Sequence, residues 1–136
     1  LALLGVHEAS LASLPAYCEL TSRACQVPLV HAHPVVGEDA FRTATGVHAA
    51  AIIKAQAKGD DWLADRIYSG IPASMVGRKQ RIDIGPMSGL SNVKYWLRAQ
   101  GYDPDDATLG ERIFAAAKGT DRTLSEEELH ALCRGG

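Results

Sequence analysis

Apolar positions recur at helical spacing in several blocks, and these blocks predict the architecture. Leu11, Leu14, Cys18, Thr21 and Cys25 form one stripe running from Ser10 or Ser13, a candidate N-cap, to about Gln26. That is an amphipathic helix of about four turns whose apolar face needs a partner, with Pro15 tolerated in its first turn. Val27 to Pro34 carries two prolines and predicts an extended connector. Asp39 to Lys58 is rich in helix formers but has Gly46 in its middle, which predicts one kinked helix or two short ones. A helix restarts at Gly59-Asp60-Asp61 and carries Trp62, Leu63, Ile67 and Tyr68 until Ser69-Gly70-Ile71-Pro72 breaks it.

The second half follows the same logic. Pro72 to Val76 has room for a single turn, and Gln80 to Ile84 alternates polar with apolar like a short strand. Gly85-Pro86-Met87-Ser88-Gly89 marks a boundary. From Ser91 the spacing is helical again, with Val93, Trp96 and Leu97 on one face and Gly101 as the stop. Leu109, Ile113, Phe114 and Ala117 follow from Thr108, and Ser125 to Glu128 is a capping box leading into Leu129, Leu132 and Cys133. The last third therefore predicts a three-helix unit whose work is packing.

Composition narrows the class. The 136 residues make one ordinary domain, and at 46% hydrophobic and 22% charged they are globular in type. No apolar run approaches the roughly 20 residues of a membrane span, so a soluble protein without a membrane partner is expected. The net charge of −2 comes from 14 basic and 16 acidic residues spread along the chain, which gives nucleic acid no field to follow. Cys18, Cys25 and Cys133 are odd in number and lack a C-x-x-C, so reduced thiols serving as small apolar fillers in the cytoplasm are expected. The opening Leu1-Ala2-Leu3-Leu4-Gly5 has neither the basic start nor the long apolar core of a signal peptide, so the chain is expected to begin inside something larger.

Candidate chemistry is sparse. His31 and His33 are two apart in an extended segment and could share a zinc ion, but no third ligand stands at a suitable spacing, so they read as exposed linker histidines. Arg78, Lys79 and Arg81 form the one basic cluster; it could meet a phosphate or carboxylate but reads first as solvated surface. His48 is different. Thr43, Ala44, Thr45, Gly46, Ala49, Ala50 and Ala51 surround it with almost no side-chain bulk, which lets another backbone or a ligand come close.

Four pieces then stand in order: Pro34-Val35-Val36-Gly37-(x)2-Ala40-Phe41, Thr45-Gly46-Val47-His48-(x)5-Lys54, Tyr68-(x)7-Val76-Gly77-Arg78, and Gly85-(x)2-Ser88-Gly89. Together they resemble the region after the catalytic barrel in 2-isopropylmalate synthases and their relatives, the homocitrate and citramalate synthases. The resemblance implies a mainly α fold: residues 1 to 30 as the end of a (β/α)8 barrel with its last helix, 31 to 84 as a first small subdomain with at most a short β segment, and 85 to 136 as a helical second one. It also implies a Claisen-type condensation of acetyl-CoA with a 2-oxo acid, leading to leucine in the 2-isopropylmalate case. The first subdomain would cover the active site of the partner in a homodimer. His48 and Tyr68 fall on the family's histidine and tyrosine that assist proton movement. The divalent metal ion would be held by barrel residues, with none bound by this chain, which alone would be inactive. Ala49-Ala50 and Pro86-Met87 depart from the residues usual in the family and leave the acceptor acid open. A homocitrate or citramalate synthase fragment, or a non-catalytic helical accessory protein, is the competing expectation.

Overall fold

A computed structural model describes residues 2–135, and among these the chain is mainly helical. Its elements are α1 (Leu14–Cys25), β1 (Arg42–Thr43), α2 (Gly46–Ala57), α3 (Asp61–Ala64), a 3-10 turn (Ala73–Val76), β2 (Arg81–Ile82), α4 (Leu90–Ala99), α5 (Ala107–Lys118) and α6 (Glu126–Arg134). The two strands pair in parallel, Arg42 opposite Arg81 and Thr43 opposite Ile82. None of the described helices is long and apolar enough to cross a membrane.

Two hydrophobic clusters form. The larger joins α4, α5 and α6 through Val93, Trp96, Leu97, Ile113 and Leu129, with Ile84 as the plug from the preceding segment. Each helix start is set locally. Ser125 Oγ accepts the Glu128 N–H while the Glu128 carboxylate accepts the Ser125 N–H, the reciprocal pair that the sequence predicts. On α5 the cap is Asp106, whose carboxylate accepts the Leu109 N–H at 3.0 Å, rather than Thr108. A carboxylate one residue before the helix satisfies an orphan donor that Thr108, already inside it, does not reach.

The smaller cluster gathers Ala49, Ile52 and Ala55 of α2, Ala64 of α3 and Ile82 of β2, with Tyr95 of α4 packed against it. Ser88 and Asn92, both buried, bind the two clusters together. The Ser88 hydroxyl accepts the Gly85 N–H and donates to the Ala44 carbonyl at 2.7 Å, and the Asn92 amide donates to the Asp83 carbonyl at 3.0 Å.

Three expectations are corrected. Gly46 opens α2 instead of interrupting a longer helix, because residues 39–45 turn and pair as β1. It lies so close to the facing chain that a Cβ would stand 2.7 Å from the Gly89 nitrogen, and its own N–H donates to the Met87 carbonyl. The helix predicted through Tyr68 stops at Ala64. Asp65 turns its carboxylate to the Ser74 N–H and hydroxyl, and the chain closes by short backbone bonds from Arg66 to Leu63 and Ser69 to Arg66. Cys25 is exposed and fills no core, whereas Cys18 and Cys133 are half-buried and burial pushes the Cys133 thiol pKa up.

Helix α1 forms as predicted but buries no residue. Of its predicted stripe, Leu11, Leu14 and Cys18 are half-buried while Thr21 and Cys25 are exposed, and beside the stripe Tyr17 and Leu20 are 64% and 59% exposed.

Candidate functional site: an imidazole and a phenol at the rim of an open cleft

The first wall of the cleft is the turn from Pro34 to Thr43, and the second is the turn from Ile67 to Ile71, with α2 at the back. The space between is about 330 Å³ and open to solvent on one side. His48 sits in the first turn of α2, half-buried, and Tyr68 rises from the second wall, 65% exposed. Their rings stack with centroids 3.8 Å apart and planes 23° off parallel. The structure thus brings together the two residues singled out from the sequence, which are twenty positions apart along the chain.

Backbone geometry makes this possible. Tyr68 has φ +56° and Phe41, on the opposite wall, has φ +65°. A bulky residue in the left-handed region costs roughly 1–3 kcal/mol and persists only when its surroundings hold it there. Both strained aromatics line the same cleft.

Arg42 also faces the cleft, but its charge is already matched. Nε bonds Asp83 at 2.6 Å and Nη1 bonds Asp39 at 2.8 Å, and the Asp83 hydrogen bond is the leading cause of a raised Arg42 pKa. Arg81 shares the same Asp83 at 2.9 Å. These pairs fasten β1 to β2 at the cleft floor, reinforcing the main-chain bonds from Arg81 N to Phe41 O and Asp83 N to Thr43 O.

The basic cluster is not a single patch. Arg78 points inward and donates to the carbonyls of Gly37 at 2.6 Å and Val35 at 3.3 Å, with its guanidinium 5.5 Å from the centre of the Phe41 ring. Arg81 is held by Asp83, and only Lys79 and Arg81 are exposed. His31 and His33 also part ways. His31 Nδ1 lies 2.8 Å from Glu38, while His33 Nδ1 faces the Val36 N–H at 3.5 Å. Among the described residues no group of three or more His, Cys, Asp or Glu side chains is placed to hold a metal ion.

The residues that sequence reading missed are Phe41, Arg42 and Gln80, all lining the cleft. The sequence held no signal for Arg42, because residues 39 to 45 read as helical and its partner Asp83 lies forty-one positions away. Chemically the site offers one group suited to proton transfer near neutral pH and one hydrogen-bond donor, side by side on a rim that a reactant reaches from outside.

No protein-family model matches the chain. Its relatives are synthases. They include a protein named "Probable 2-isopropylmalate synthase" from Archaeoglobus fulgidus, 33% identical over 100 residues, which are 74% of this chain and 18% of that protein. A homocitrate synthase from Pyrococcus horikoshii is 26% identical over 75% of this chain and 26% of its own length. An (R)-citramalate synthase from Methanocaldococcus jannaschii is 28% identical over 85% of this chain and 22% of its own length. The chain spans about a fifth of the length of the curated relatives it matches.

Proposed function

We propose that this chain is the lid portion of a cytoplasmic acyltransferase that condenses acetyl-CoA with a 2-oxo acid, of the 2-isopropylmalate synthase type. The His48–Tyr68 stack on an open rim carries the reading, because the reaction needs the two kinds of group it presents. A proton must leave the acetyl methyl group, and negative charge then develops on the thioester oxygen. His48 takes or relays the proton, and the Tyr68 hydroxyl donates a hydrogen bond to the developing charge.

In this reading residues 1 to 30 end a barrel, 31 to 84 form the subdomain that bears the cleft, and 85 to 136 form its helical support. The large apolar side chains that α1 leaves exposed, Tyr17 and Leu20, support a further body packed against this helix. The barrel supplies the acetyl-CoA pocket and the residues that hold a divalent metal ion, whose chemistry is to bind and polarise the 2-oxo acid. The lid serves the partner subunit of a homodimer. Relatives named for three products favour no single acceptor, so homocitrate or citramalate synthesis is the second reading.

The test is made in the full-length enzyme. His48→Ala lowers turnover by about a hundredfold or more while leaving helicity intact, the size expected for loss of a general acid or base. Wild-type turnover in that variant overturns the catalytic reading of His48. Assays with 2-oxoisovalerate, 2-oxoglutarate and pyruvate as competing acceptors decide between leucine-type synthesis and the second reading.

A further inference from the structure

The segment after the 3-10 turn has no evident chemistry of its own, yet it touches both walls of the cleft. On one side Arg78 Nη1 donates to the Gly37 and Val35 carbonyls and its guanidinium faces the ring of Phe41. On the other side Gln80 Nε2 donates to Ser69 Oγ at 2.5 Å and reaches the Asp65 carbonyl at 3.4 Å. The first set of bonds closes around left-handed Phe41 and the second around left-handed Tyr68. All three bracing residues, Ser69, Arg78 and Gln80, are half-buried.

Tyr68 has little else to hold it. Its side chain is 65% exposed, so burial does not fix it, and its backbone conformation is one an aromatic residue avoids. The bond from Gln80 lands on the very next residue. Asp65, three residues before Tyr68, is tied in turn to Ser74.

We infer that Arg78 and Gln80 are positioning residues, a two-sided brace in which Gln80 holds Tyr68 against His48 and Arg78 holds the opposite wall; its catalytic meaning rests on the function proposed above. The brace explains why a basic cluster at this place has one member turned inward: one guanidinium nitrogen, Nη1, donates to two main-chain carbonyls.

The geometry can be read without activity, by nuclear magnetic resonance on the 136-residue chain. An aromatic ring stacked at 3.8 Å displaces the His48 imidazole proton signals by its ring current. Gln80→Ala loses most of that displacement and leaves the Phe41 ring signals in place. Arg78→Ala does the reverse, moving Phe41 and sparing His48. Tyr68→Phe, which keeps the ring, keeps the His48 displacement.

Wild-type His48 signals in Gln80→Ala, or wild-type Phe41 signals in Arg78→Ala, overturn the assignment. Should either variant lose its helical signal, Ser69→Ala and Arg78→Gln, which remove less, decide in the same terms. Turnover of the full-length enzyme keeps the two readings apart. A released His48 with unchanged turnover leaves the brace standing and removes the catalytic role of the stack, whereas lowered turnover with His48 still stacked removes the brace.

Discussion

The Ser88 hydroxyl is the smallest group on which the two clusters depend. It accepts the Gly85 N–H at 2.9 Å and donates to the Ala44 carbonyl, in a place where Ser88 is 3% exposed. Ser88→Ala leaves the buried Gly85 N–H without its partner and the Ala44 carbonyl with only the longer bond from Asn92 at 3.4 Å, and stability falls by about 1–3 kcal/mol. The midpoint of urea unfolding reads that loss, and an unchanged midpoint would mean the hydroxyl contributes nothing. At this scale the sequence was legible in part. His48 stood out through the small residues around it, and Tyr68 only through the resemblance to the synthase family. Their stacking was not legible, because it depends on a backbone conformation that local propensity disfavours for tyrosine. Gln80 was invisible for a different reason: its partner Ser69 is eleven residues away, and nothing about a glutamine in a short strand announces such a bond.

Elements followed the sequence where their ends are written in local chemistry. The Ser125–Glu128 box placed the start of α6 correctly because both partners lie within one turn. Helix α3 fell short because Asp65 prefers Ser74, nine residues on, to another helical turn. The α6 cap has a pH signature. The hydrogen bond from Arg122, then that from the Ser125 backbone, brings the Glu128 pKa down to about 2. A carboxylate lowered on folding adds stability that is fully present above its unfolded value and is lost as pH falls through the folded one. The contribution of Glu128 therefore fades from about pH 4.5 to about pH 2. Glu128→Gln flattens this part of the acid dependence of the thermal midpoint, and parallel curves for variant and wild type would sink the attribution.

On the scale of the whole molecule, α4 does two jobs, giving Val93, Trp96 and Leu97 to the larger cluster and Tyr95 to the smaller. The three-helix support was legible because its contacts are mostly between neighbouring segments. The cleft was not, since residues far apart in sequence build it. The N-terminal part contrasts with both: Tyr17, Leu20, Val27 and Val30 are all more than half exposed. Large apolar patches drive association, and the chain is expected to self-associate through this face. Leu20→Glu weakens that association in sedimentation experiments while changing stability by no more than about 0.5 kcal/mol, as for a surface substitution. Monomeric behaviour of the wild-type chain at high concentration would contradict it.

The pairing of β1 with β2 has one last consequence. The bonds that close the cleft floor and brace its walls run between main-chain groups and through Arg42, Arg78, Gln80 and Asp83, and none of them uses the side chain of Val35 or Ile71. Val35 and Ile71 can therefore be randomised together, and the resulting collection of clefts will differ in shape and polarity while sharing one chassis.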